Sequence, residues 1–256
     1  GAYAVTGTHP GNTNFQTVTR DTAILIGPAT PTETVTGGTF TYDGMPHGAT
    51  ATVQGVGGAE LAGALLTYNG SIDVPVNAGT YTAVATFDGS GNYGHATGAA
   101  TVTILKAAGV LGWNRPAAIV YGTSLGGDQL NATANAFGSF DYSPPANTVL
   151  NAGASQTLTA TFTPSDPANY IGGTITTTID VSKAAAEVTA IGGTFTYTGQ
   201  PHQASGFVTG LFGASLGTPT FTYNGSPQPP VTVGTYEVVA SFAGNANYQP
   251  ASATTA

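Results

Sequence analysis

No cysteine occurs among the 256 residues, and this excludes disulfide frameworks, thiolate metal sites and cysteine nucleophiles together. Basic residues are nearly as scarce: 4 lysines and arginines stand against 12 acidic residues, a formal net charge of −8. No basic cluster exists to meet phosphates, so neither nucleic-acid binding nor a polybasic membrane contact is expected. No apolar run approaches the roughly 20 residues of a membrane span, and no membrane insertion is expected here. An apolar period of 3.6 over two or more turns is also missing, so helix should be minimal. The chain opens at Gly1 without a basic or apolar leader, and it reads as a window from a longer repeat array.

Glycine is abundant at 37 residues, with 16 prolines, yet 12 tyrosines, 11 phenylalanines and 41% hydrophobic residues argue against disorder. Glycine here punctuates strands. The dominant pattern is a repeat. Gly37-Gly-Thr-Phe-Thr-Tyr-Asp-Gly-Met-Pro-His47 returns 155 positions later as Gly192-Gly-Thr-Phe-Thr-Tyr-Thr-Gly-Gln-Pro-His202. The correspondence runs without a gap to Asn92-Tyr93 and Asn247-Tyr248, with a little over half of the paired residues identical. Repetition of this kind points to modules of about 75 residues.

Within each copy the apolar pattern has period two. Tyr81, Ala83, Ala85 and Phe87 alternate with Thr80, Thr82, Val84 and Thr86; Tyr236, Val238, Ala240 and Phe242 alternate with Thr235, Glu237, Val239 and Ser241. Half-buried strands alternate this way, and the apolar face needs a second layer over it. Asn69-Gly70 and Asn224-Gly225 are tight-turn signals, because asparagine and glycine tolerate positive φ. The expected class is all-β: tandem immunoglobulin-like β-sandwich modules in a rod-like array. Residues 1–33 read as the back half of a module plus a linker at Thr30–Glu33, and residues 34–106 as a complete module. Residues 107–183 read as a related module, and residues 184–256 as a copy of the first lacking its last strand. Leu158, Ala160 and Phe162 against Thr157, Thr159 and Thr161 carry the same alternation in the central module. Such two-layer shells are expected to leave no concave pocket.

The Gly37 to His47 motif, Thr67-Tyr-Asn-Gly-Ser71, Gly79-Thr-Tyr81 and Asn92-Tyr93 resemble bacterial MBG (mostly-β, glycine-rich) repeats. Trp113-Asn-Arg-Pro116, Ile119-Val-Tyr-Gly-Thr123 with Leu125, Gln129-Leu-Asn-Ala132 and the Phe162 to Tyr170 stretch resemble a bacterial immunoglobulin-like repeat. The two resemblances together imply a repetitive stretch of a large secreted or cell-surface bacterial protein, an adhesin or stalk. They imply no catalytic residues and no cofactor.

The side chains agree with a non-enzymatic reading. Zinc needs three or four converging ligands, and His9, His47, His95 and His202 have no second histidine at ligand spacing. His47 and His202 follow proline at a turn and are expected to bond locally, or else to form a binding rim. Asp43, Glu60, Asp73 and Asp88 become Thr198, Ser215, Gln228 and Ala243 in the second copy, so a shared calcium site is not expected. Trp113 reads as core or as a sugar-stacking platform. Lys106 and Lys183 read as junction residues. Expected partners are neighbouring modules or copies of the same protein, with surface glycans or matrix as alternatives. One further reading is a filament in which the segment carrying Val18, Ile24 and Ile26 completes the final module of the next chain by strand addition.

Overall fold

A computed structural model describes all of residues 1–256. It is built of strands; the helical turns are two single 3₁₀ turns, Val56–Gly58 and Leu211–Gly213. The chain divides into two units, Gly1–Ala107 with Asp166–Ile171, and Ala108–Ser165 with Gly172–Ala256.

The first unit opens with an antiparallel hairpin, Ala2–His9 paired with Val18–Leu25, whose residues are all exposed. A two-layer module follows. One sheet pairs Thr32–Thr36 with Thr50–Gln54 and Glu60–Leu61. The other runs in the order Gly38–Thr41, Ala96–Leu105, Gly79–Phe87, Leu65–Tyr68. Thr32 and Glu33, expected in a linker, begin the first strand. Gly37 is where the chain leaves one sheet for the other. A Cβ there would collide with the Thr101 carbonyl, so only glycine permits the crossing. Between the layers lie Tyr68, Ala83, Val102 and Ile104, with Phe40, Tyr42, Leu66 and Tyr81 packed around them. Ala83, Ala85 and Phe87 are buried, as the alternation requires. Asn69 and Gly70 take φ 48° and 89°, and the Tyr68–Ser71 backbone pair closes the turn from both sides. The turn does not lead straight into the next strand, which starts only at Gly79.

Glu33 is an exception to the apolar interior. The alternation of its strand turns it to the same side as Val35, and both carboxylate oxygens are sealed without a hydrogen-bond partner. Burial pushes its pKa up from the ordinary 4.5; the backbone at Phe87 and then His95 pull the other way, less strongly. An acid held above its unfolded value favours the folded state at low pH. Its cost appears as pH climbs from about 4.5 through the raised value, and then levels off. Glu33→Gln is therefore expected to melt higher than wild type at pH about 8, with the gap closing below pH about 4. Thermal scans across pH read this directly; a gap independent of pH would contradict the assignment.

In the second unit, the central sheet runs Ile119–Val120, Gly173–Ser182, Gly153–Pro164, Gly138–Ser143. Its short first strand lies parallel to the last one, and the remaining pairs are antiparallel. The first module has the same order, first strand to last to penultimate to second. That shared order supports reading the two as variants of one sandwich. Leu158 and Ile179 are fully enclosed at its core, beside Ile119, Leu125, Leu130 and Val181.

Residues 187–255 repeat the first module with one ladder fewer. Glu187–Ile191, Ser205–Thr209 and Ser215–Gly217 form one sheet, and Thr220–Tyr223, Val238–Phe242 and Ala251–Thr255 the other. The strand expected from Thr235 begins only at Val238. Its first-module counterpart starts at Gly79 because Val102–Ile104 pairs with Gly79–Tyr81, and no such ladder forms along 234–237.

Candidate functional site

The features that recur at every module boundary are backbone and asparagine hydrogen bonds. The alanine ahead of each module donates its N–H to the carbonyl of that module's late Asn: Ala29 to Asn92 at 2.7 Å, Ala107 to Asn169 at 2.9 Å, Ala184 to Asn247 at 2.9 Å. Ala29 and Ala184 also form parallel bridges to Tyr93 and Tyr248. A three-fold recurrence at equivalent positions marks a built joint.

The asparagine side chains extend the joint. In the first unit, Asn169 Oδ1 accepts from the Ala78 N–H at 2.7 Å, while Nδ2 donates to Asp166 Oδ2 at 2.8 Å and to Asn77 Oδ1 at 3.2 Å. Asn169 is 5% exposed, the one buried polar residue of the chain. In the second unit, Asn247 Oδ1 accepts from Ala152 N–H at 2.9 Å and Nδ2 donates to Asn151 Oδ1 at 3.1 Å. The lysines close the same joints: Lys106 Nζ donates to the Pro167 carbonyl and Lys183 Nζ to the Asn245 carbonyl, both at 2.6 Å. An edge-on tyrosine pair accompanies each, Tyr42 with Tyr170 and Tyr121 with Tyr248. Asn-Ala-Gly at 77 and 151 and Asn-Tyr at 169 and 247 are visible in the sequence as echoes. Their pairing is not, because the partners lie more than 90 residues apart.

Tyr248 also ties its module internally. Its hydroxyl accepts the Leu211 N–H at 3.1 Å, and its ring lies where a side chain at Gly210 would have to go. Tyr248→Phe leaves that half-buried N–H unpaired and should cost about 1–2 kcal/mol. Tyr93→Phe, whose partner Val56 N–H is exposed, should cost less. Denaturant melts of the two variants make the comparison, and equal losses would count against it.

The sequence-predicted residues are scattered. The His47 ring stacks on Phe40 at 4.5 Å, and its Nε2 lies 2.9 Å from Asp43 Oδ1. His202 stacks on Phe195 at 4.8 Å, with Nε2 3.2 Å from Thr198 Oγ1. The Met45 N–H, donated to Asp43 Oδ1, chiefly holds that carboxyl below its ordinary range; desolvation opposes it, and the His47 ring adds to it. Trp113 donates its indole N–H to the Gln129 carbonyl at 3.0 Å and meets Tyr142 edge-on at 5.5 Å, half-buried against the central core. What remains open of it borders a shallow recess of about 300 Å³. Val18, Ile24 and Ile26 are exposed along the N-terminal hairpin and beyond it. No group of three or more His, Asp or Glu side chains converges as a metal cage would require.

The expectation of no concave surface is corrected by the last module. A groove of about 310 Å³ opens there, bordered by Phe195, Tyr197, His202, Tyr223, Tyr236 and Val238. It exists because 193–197 and 234–237 are not joined by a strand between them.

A family model described as the MBG domain matches residues 32–108 and again 186–256, together more than half of the chain. The chain belongs to the MBG domain family. The two matches coincide with the two repeats that share the Gly-Gly-Thr-Phe-Thr-Tyr opening, and the central module lies between them. No curated protein matches the chain. Each MBG module thus brings the same late Asn-Tyr pair, with the alanine bridge closing onto it.

Proposed function

We propose that the chain is a non-enzymatic structural repeat region of a bacterial surface or secreted protein, and that it serves as a spacer. The observation that carries this reading is the repeated joint. Buried or half-buried asparagines, lysine-to-carbonyl bonds and tyrosine pairs recur at successive module boundaries, as an array whose modules hold one another in place requires. Repeats that bury too little surface alone gain stability from such boundaries. Trp113 supports the same reading, since its indole N–H and ring are engaged by its own module and a stacking platform would leave them free.

Three measurements test it. Protease treatment of intact producing cells should remove an epitope placed within residues 1–256, and protection of that epitope would overturn the surface placement. Stretching the chain from its two ends should give cooperative unfolding steps whose forces fall in Asn169→Ala and Asn247→Ala. Unchanged forces in both variants would remove the mechanical role from the joints. A glycan array should give no binding, and a hit abolished by Trp113→Ala would replace the spacer with a carbohydrate-binding module.

A further inference from the structure

Leu211 reaches out of its own module. Its side chain lies against Gly122 of the central module, where a Cβ would collide with Leu211 Cδ1. Gly122 is the third residue of a turn closed by the Thr123 N–H on the Val120 carbonyl at 3.0 Å, and its φ of 96° suits glycine. Leu211 is held from behind, since its N–H is bonded to the Tyr248 hydroxyl and the Tyr248 ring meets Tyr121 edge-on. The first MBG module carries the same plug. Val56 stands at the corresponding place on the other 3₁₀ turn, its N–H bonded to the Tyr93 hydroxyl at 3.1 Å. The notch that receives the plug is not shared. Tyr42 and Tyr121 are equivalent: each donates its N–H at 2.8 Å to the last residue of its module's final strand, Leu105 or Ser182. Each also meets a late tyrosine of the following module, Tyr170 or Tyr248. Yet the residue after Tyr121 is glycine, whereas Asp43 follows Tyr42 and Thr198 follows Tyr197 in the MBG modules.

We propose that Gly122 is a notch for the apolar residue of an MBG 3₁₀ turn, and that it sets the order of modules. An MBG module docks behind the central module and not behind another MBG module. Asp43 or Thr198 in the notch position supplies the Cβ that Gly122 lacks, and the leucine loses its seat. Asp43 adds a carboxylate already bonded to the Met45 N–H and the His47 ring, which an apolar side chain would strip of water. Discrimination then comes from a clash in the wrong pairing as much as from contact in the right one. The asparagine bonds cannot discriminate, because Asn77 and the Ala78 N–H offer the same groups as Asn151 and the Ala152 N–H. The inference stands apart from the spacer reading, since any array of these modules has an order to keep.

The test uses the whole chain carrying Gly122→Asp or Gly122→Thr, the residues that MBG modules place there. The Ala152 N–H, bonded to Asn247 Oδ1 across the joint, reports docking by hydrogen exchange. Trp113, the one tryptophan, packs on the central core and reports by fluorescence that this module is folded. Each substitution should lower protection at Ala152 about tenfold or more, as overpacking a fitted contact does. Backbone strain at position 122 acts whatever faces it, so the substitutions are repeated in a Leu211→Ala chain. There they should cost no more than about threefold, because the colliding atom is gone. Equal losses in the two backgrounds, or protection unchanged by Gly122→Asp, would overturn the proposal. Should the Trp113 signal show the central module unfolded by both substitutions, Leu211→Ala alone decides. Protection at Ala152 should then fall about threefold with Trp113 undisturbed, as an emptied contact requires, and unchanged protection would overturn the notch.

Discussion

Asn169→Ala is expected to destabilise the first unit by about 2–4 kcal/mol, far more than removing the equivalent Asn92. Asn169 is buried, and alanine removes both ends of its amide together. The Ala78 N–H loses its acceptor at 2.7 Å, and Asp166 Oδ2 loses a donor at 2.8 Å. A half-buried donor left without a partner costs about 1–3 kcal/mol, and a carboxylate losing its donor adds to that. Aspartate does not rescue the site, because it keeps an acceptor for Ala78 but places a second carboxylate beside Asp166. Asn92 carries the same backbone bridge to Ala29 yet is exposed, so Asn92→Ala should change stability by less than about 0.5 kcal/mol. Asn247→Ala should fall between them, since its side chain makes the same two outward bonds while only partly buried. Denaturant unfolding gives the free energies, and hydrogen exchange at Ala78 locates the loss. Asn169→Ala and Asn92→Ala behaving alike would mean that the joint contributes nothing.

Leu158→Ala should have the largest effect of any single truncation in the central module, about 3–5 kcal/mol. Leu158 is 0% exposed and is enclosed by Ile119, Leu125, Leu130, Ile179 and Val181. Deleting a buried leucine to alanine loses its transfer free energy and leaves a cavity that a strand-built wall closes only in part. A domain of this size holds only some 0.05–0.15 kcal/mol per residue, so the loss is comparable to the module's whole stability. The second unit should then show an early unfolding step in denaturant. Thr157→Ala, one residue earlier and on the exposed face, should cost less than about 0.5 kcal/mol. A Leu158→Ala loss under about 1.5 kcal/mol would show that this core is loosely packed.

Which residues face inward was legible from the chain alone. Period-two alternation assigned Ala83, Ala85 and Phe87, and Leu158, Ala160 and Phe162, to buried faces, and the structure buries all six. The Asn-Gly turns were legible because a two-residue turn with positive φ makes a strictly local demand. Other features needed the third dimension. Gly37 looks like ordinary punctuation until Thr101 is placed against it. Glu33 was assigned to a linker because its flanking prolines and threonines hide the strand, and its sealed carboxylate depends on a second sheet closing over it.

The candidate sites divide along the same line. His47 and His202 bond to residues four positions away, so a local reading reached them. The asparagine joints did not yield to that reading, because Asn77 and Asn169, or Asn151 and Asn247, belong to neighbouring modules and meet only once both have folded. Side-chain alternation is a property of one strand, set by backbone geometry two residues at a time, and the amino-acid order by itself therefore determined the sandwich and its inward faces. Hydrogen-bond partners across some 90 residues depend on where separate strands come to rest, and only the tertiary structure decided them.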